Sequence, residues 1–447
     1  MLKGQRGKKR SKAIRRTSIG LRLLLFLFLL TPLRAQKGSL EVWAKITSQA
    51  TQRQLPIVLA EFNLPKGGSP SLKEMAKNIR NVVENDLDFS LYFRICSSEE
   101  NYNTEEGKIE FNKWRQSGAK ILICPDLLLK RGLINIRIRV YDMEMQKKLK
   151  ELNYGYFSDW RWLAHTISDD LIKLLTGEEG ICRTKIAFSY KKGSAKELAI
   201  MDYDGANLIT LTSDGGLKLY PEWSPNNEEI AYSSYSGTNL NLYAYNLKMR
   251  RSRLISASSG LNTTPAYSPD GKYLACAITA ERSLDLYLIP TSSGQKSRIT
   301  SGHSIDISPS FSPSSRQIAF CSDRGGTPQI YIIDIDGTNL YRVTTSGSYN
   351  TSPSWSPKGD LIAYAGRTED GRNQIFITDV SGSFSRQLTF EGNNEEPSFS
   401  PDGLHIVFAS NRTGSWEVWV MHWDGSGQKQ LTNLGGAFSP SWSKRFR

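Results

Sequence analysis

From residue 183 onward, apolar and polar positions alternate in short runs. "QIYIID" (Gln329–Asp334) and "EVWVMH" (Glu417–His422) put an aliphatic or aromatic side chain at every second place. A period of two sends successive side chains to opposite faces of an extended chain, so each run predicts a β-strand. Short apolar triplets precede these runs: Ile230-Ala-Tyr, Leu274-Ala-Cys, Ile318-Ala-Phe, Ile362-Ala-Tyr and Ile406-Val-Phe. The whole order then returns. Pro221, Pro265, Pro309, Pro353 and Pro397 each open a Pro-x-aromatic-Ser-Pro unit at a spacing of 44 residues, and Pro440 opens a last, shortened unit 43 residues on. Each unit predicts four strands, A to D, with A carrying the Pro-x-aromatic-Ser segment. "SPDG" (Ser268–Gly271, Ser400–Gly403) suits a tight turn, and Asp336-Gly337 or Asp424-Gly425 suits a hairpin. Four short strands per period of about 40–45 residues mark a propeller blade.

The count predicts six blades. "RTKIAFSY" (Arg183–Tyr190) reads as a B strand with no A strand before it, and "PSWS" at Pro440 is an A strand with nothing after it. Joined, they complete a ring: Pro440 and Trp442 are expected beside Ile186 and Phe188, leaving no raw sheet edge. This connectivity puts the A–B and C–D turns on one face and the B–C and D–A loops on the other. The upstream region enters at Lys185 and is expected on the "SPDG" face.

Residues 55–180 lack the repeat. "LPIVLAEF" (Leu55–Phe62), "AKILICPDLLLK" (Ala119–Lys130), "LINIRIRVYD" (Leu133–Asp142) and "KLKELNYGYF" (Lys148–Phe157) predict strands, with a hairpin about Arg131-Gly132. Ser71 and Glu74 after Pro70 predict a capping box opening a helix whose stripe is Leu72, Met75, Ile79, Val82 and Val83. A second helix spans Asp159–Gly177, with the glycine as its stop. The fold class is therefore an α+β N-terminal domain (55–180) followed by an all-β six-bladed propeller (181–447).

Charge changes the picture once. The net charge of +13 suggests nucleic acid, but residues 1–35 hold ten Lys or Arg and no acid. The remainder carries 47 basic against 44 acidic residues, which removes the main support for a nucleic-acid partner. Residues 1–35 have the layout of an export signal: a basic start, the apolar run Leu23–Leu30, and a small residue, Ala35, at the expected cleavage point. An uncleaved anchor is the alternative. Residues 36–54 have little apolar content and read as an N-terminal arm. The expected compartment is periplasm-like.

Five cysteines (Cys96, Cys124, Cys182, Cys276, Cys321) show no metal spacing. They read as small apolar filler, with a Cys96–Cys124 disulfide open in an oxidising compartment. His165, His303, His405 and His422 are far apart, and His165 falls in the helix at the domain junction. No catalytic group, metal or cofactor is expected: G-x-S-x-G, which a hydrolase carrying such a propeller needs, is not found. Arg324, Arg367 and Arg412 sit at near-equivalent places in B–C loops, as solvated loop residues or as a basic collar for an acidic partner.

The leader, the helix "WLAHTISDDLIKLLTGEEG" (Trp162–Gly180), the junction "CRTKIAFSY" (Cys182–Tyr190), "MDYDG" (Met201–Gly205) and the six repeats together resemble the TolB family of the Tol–Pal envelope system. The resemblance spans nearly all of the chain after the leader. It implies a periplasmic, non-enzymatic, monomeric protein that docks a Pal-like lipoprotein on the propeller and a TolA-like protein through its N-terminal arm. It places the docking on the D–A loops, here Leu261, Asn262, Thr263, Ser304, Asp306, Ser346, Tyr349, Asn350, Asn394 and Glu395. The chain departs from the family in having Leu261 where a His stands and Ser346 where a Glu stands. The alternatives are an exported propeller binding another protein or a glycan, and a hydrolase-type propeller without its catalytic domain.

Overall fold

The structure is a computed structural model and describes residues 54–446, apart from 66–67, 98–102, 131–132 and 156. The leader, most of the arm and the Arg131-Gly132 turn lie outside the described residues.

The N-terminal part is built on a five-stranded mixed sheet. Its strands are β1 (Leu55–Leu59), β2 (Phe93–Ile95), β3 (Ile121–Lys130), β4 (Leu133–Asp142) and β5 (Lys147–Tyr154), in the order β2-β1-β3-β4-β5. β1 runs parallel to β2 and β3, and β3, β4 and β5 are antiparallel. Alternation sorts the strands' side chains. Ile57, Leu59, Ile121 and Ile123 face helices α1 (Pro70–Phe89) and α3 (Trp160–Thr176). Val58, Ala60, Leu122 and Cys124 face Trp114 of the short helix α2 (Phe111–Arg115).

Helix α1 begins two residues earlier than the Ser71–Glu74 capping box implied. Ser69 is the N-cap, its hydroxyl accepting from Leu72 N at 3.3 Å, and Pro70 takes the first helical position. Proline suits that place because its missing N–H would have no partner there. In α3 the expected stop holds, Gly177 closing the helix at φ 81°, and Asp159 is the N-cap, accepting from the amides of Arg161 and Trp162. All five cysteines are free and buried, Cys96 and Cys124 included.

The propeller has six four-stranded sheets, each in the order A-B-C-D from the axis outward. The closing sheet joins Ala437–Trp442 to Lys185–Lys192, Ala195–Asp202 and Ile209–Thr210. Trp442 pairs with Ile186 and Ser441 with Ala187, while Ser443 N donates to Lys185 O at 2.9 Å. Trp442 Nε1 donates to the Thr184 hydroxyl at 2.8 Å. The tail beyond is also used. Phe446 packs edge-on between Trp162 of α3 and Trp223 of the next blade.

The N-terminal part rests on the "SPDG" face, as the connectivity required. Phe89 stacks on His405 with ring centroids 4.0 Å apart, and His405 Nε2 lies 2.8 Å from Phe89 O. One apolar cluster runs from Ile79, Leu87 and Leu171 through Ile186 and Phe188 to Val407, Val418 and Trp442. Burying it ties the two parts together, at about 25 cal/mol for each Å² of apolar surface removed from water.

Candidate partner-binding face

The opposite face, made of the B–C and D–A loops, rests on a repeated scaffold. The threonines that follow the fourth strands have a physical role. The hydroxyls of Thr212, Thr300, Thr344, Thr389 and Thr432 accept from C-strand amides of Leu198, Leu286, Ile330, Ile375 and Val418, at 2.9–3.0 Å. A buried acid or amide at the start of strand C then holds the next loop. Glu417, for example, accepts from Leu434 N and Gly435 N at 2.9 and 2.7 Å.

This scaffold divides the expected site residues into two groups. Asn262, Thr263, Ser304, Asp306, Asn350 and Asn394 are buried. Asn262 bonds Leu240 O and Ser258 O, Asn350 bonds Gln329 and Ser346 O, and Asn394 bonds Gln374 and Glu391 O. Their side-chain polarity is directed into the blades. Leu261 and Ser346 are exposed, and Tyr349 and Glu395 are half-buried. The three B–C arginines have local partners. Arg324 pairs with Asp306 at 2.8 Å, Arg412 donates to Asn394 at 2.7 Å, and Arg367 lies over the Tyr349 ring at 4.3 Å. Arg324 and Arg412 thus brace the first residue of an A strand in their own blades.

The 44-residue register sets two further residues, Leu217 and Ile305, beside Leu261. Leu217, Leu261 and Ile305 occupy equivalent places in three consecutive blades, with exposures of 37, 39 and 50%. Tyr220 and Tyr235 of the first of these blades are exposed beside them. The next positions in register are Tyr349, Asn393 and Gly436, so one side of the mouth is aliphatic and the other is not. Glu395 and Glu396 stand close enough across the mouth to act on the Tyr220 hydroxyl. With burial as the larger cause, they push its pKa up to about 12.

Inside the mouth runs an axial channel of about 550 Å³ lined by the six Pro-x-aromatic-Ser segments. The residue before each of the six prolines has a left-handed backbone: Tyr220, Thr264, Ser308, Ser352, Glu396 and Ser439, at φ 47–55°. Each such position costs on the order of 1–3 kcal/mol unless the surroundings impose it. Here the strand register shifts at the same point in every A strand. Seryl bridges tie blade to blade. Ser310, Ser354 and Ser398 hydroxyls accept from the amides of Trp355, Phe399 and Trp442 at 2.9–3.2 Å. Two acids lie in the channel wall. Enclosure pushes Glu222 up to about 7, against the opposing pull of Ser441 and Lys444, and likewise raises Glu396.

A family model described as the TolB beta propeller domain matches residues 172–446. The chain belongs to the TolB family. A second model, the TolB amino-terminal domain, matches residues 45–149. Among curated TolB proteins, the Tol-Pal system protein TolB of Cereibacter sphaeroides is 30% identical over 227 residues, 49% of this chain and 50% of that one. The TolB of Geobacter sulfurreducens is 34% identical over 211 residues, 46% of this chain and 48% of its own. The chain thus spans about half the length of the curated relatives it matches. The crystal structure of TolB from Acinetobacter baumannii superposes with a TM-score of 0.76 at 26% identity, covering 88% of this chain and 97% of that one. Among the described residues no helix is long and apolar enough to cross a membrane.

Proposed function

We propose that this chain works without catalysis as a docking component of a Tol–Pal envelope system. It is exported to a periplasm-like compartment with its leader removed near Ala35, and it acts as a monomer. A Pal-like lipoprotein docks on the B–C and D–A loop face, and a TolA-like protein engages the arm at residues 36–54. Membership of the TolB family supports the system, and the aliphatic arc of Leu217, Leu261 and Ile305 supports the face. Three large apolar side chains in equivalent exposed places, beside a channel mouth, are what a protein partner covers. The polar groups that the family resemblance places on this face are here replaced at Leu261 and Ser346. Docking in this protein therefore leans on apolar contact, with Tyr349 and Glu395 at its rim and Arg324, Arg367 and Arg412 as a braced basic outer ring.

The experiment is a pull-down of the lipoprotein from the same organism by the full-length protein. Capture by the wild type, lost on charge reversal across Asn393–Glu396 or in Leu261→Asp, supports the reading; no capture by the wild type ends it. Deleting residues 36–46 is expected to weaken TolA capture and leave lipoprotein capture unchanged. TolA capture that survives the deletion removes the arm from the proposal.

A further inference from the structure

On the opposite face lies a buried cluster that partner docking does not use. His165 of α3 is 1% exposed and sits between two carboxylates from different parts of the fold. Asp86, near the end of α1, accepts from His165 Nδ1 at 2.8 Å and from the Tyr203 hydroxyl at 2.5 Å. Asp204 belongs to the C–D turn of the closing blade, and the ligating atoms of the three residues lie within 4.8 Å of one another. They are not arranged to hold a metal. Both Asp86 oxygens are engaged, and Asp204 is paired with Arg161. The atom left over is His165 Nε2, buried and bonded to no described residue.

With the Nδ1 proton directed to Asp86, a neutral imidazole leaves a lone pair at Nε2 with no donor. Nε2 has no acceptor among the described residues either, so its unpaired cost of about 1–3 kcal/mol falls on both protonation states and the two carboxylates decide between them. A second proton turns the ring into a cation facing one acid from the N-terminal part and one from the propeller. We infer that His165 is a proton-operated latch across the junction between α1 and the closing blade, tightened by acid and loosened by base.

Titratable and charged groups reach the ring from each element packed against it. α1 supplies Asp86. α3 supplies Arg161, which opposes the latch, and Asp169, which is spent on Arg183 and Cys182 N. The propeller turn supplies Tyr203 and Asp204, with Asp202 paired to Lys185. Cys182 lies in the link between α3 and the first strand, and burial raises its pKa well above the ordinary value. His405, Asp402 and His422 lie beyond Phe89, which stacks between this cluster and the next blade. Burial pulls His165 down, but Asp86 and Asp204 outweigh it, and its pKa stands above the ordinary 6.5. A histidine raised in the folded state adds stability that is complete below the unfolded pKa. That stability fades as pH rises through the folded pKa.

The latch stands apart from the lipoprotein reading and is tested without any partner. In the full-length protein, the His165 ring is followed by NMR against pH, and melting is followed from pH 5.5 to 9. His165 is expected to titrate above 6.5. Asp204→Asn, on a partly exposed turn, is expected to lower that value by about half to one unit, a three- to tenfold loss of proton affinity. His165→Gln is expected to melt below wild type by a margin that is wide at pH 5.5 and narrow at pH 9. Titration below 6.5, indifference to Asp204→Asn, or a melting gap constant across pH each overturns the latch.

Discussion

The two faces of the propeller use the same repeat to opposite ends. On the "SPDG" face, turns are capped by the N-terminal part. Phe89 stacks on His405, Asp86 meets Tyr203, Arg161 meets Asp204, and Phe446 wedges between Trp162 and Trp223. Polar atoms there are buried and mostly paired across the junction. On the B–C and D–A face, polar side chains turn inward to brace the loops, and aliphatic ones are left outward: Leu217, Leu261 and Ile305. This face keeps its amides for itself and leaves two leucines and an isoleucine to solvent. The difference teaches that exposure, not polarity, separates the residues that brace this propeller from those left outward on the proposed docking face.

The comparison is broken most severely at the seam. Deleting Pro440–Arg447 removes the second half of the closing blade's A strand together with the Phe446 wedge, and leaves the Lys185–Ala187 end of the neighbouring strand unpaired on that side. Loss of a buried Trp alone costs about 3–5 kcal/mol. The melting temperature is expected to fall by roughly 10 °C or more, or the protein to aggregate. Melting like wild type contradicts ring closure.

A smaller effect separates the faces. Leu261→Asp or Ile305→Asp is expected to weaken lipoprotein binding about ten- to a hundredfold, as loss of an interface anchor does. Stability should stay within about 0.5 kcal/mol, as for other exposed sites. A titration of each variant with the lipoprotein, set beside its melting curve, checks both halves.

The smallest effect lies in the channel between the faces. Glu222 titrates at about 7 in the fold, above the ordinary carboxyl value, so the folded state prefers it protonated. Its contribution is complete below the unfolded pKa and is lost as pH rises through about 7. Glu222→Gln is therefore expected to melt like wild type at pH 4 and above it at pH 8. A gap of the opposite sign would mean that Lys444 or Ser441 dominates instead.

Much of this was legible in the chain. The 44-residue register revealed six blades and their closure, because turn prolines and period-two strands repeat in one order. Gly177 marked the end of α3 correctly, since caps are local chemistry, while Asp159, read as the first helical residue, is its N-cap. What was hidden depends on distance or on backbone shape. Asp86, His165 and Tyr203 are separated by 79 and 38 positions, so no local pattern joins them. The left-handed residue before each proline breaks the usual preference of that position for extended backbone. The resemblance places Asn262, Asn350 and Asn394 on the docking face, yet the amide of each is spent on the preceding blade and the loop that leaves it. Leu217 and Ile305 were visible only by laying the repeats over one another.

The most direct test is hydrogen exchange of the full-length protein with and without the Pal-like lipoprotein. Protection is expected around residues 217–220, 261–264 and 305–308, with no change at 86–92, 161–165 and 202–206. Protection confined to the second group would place the partner on the wrong face and contradict the account.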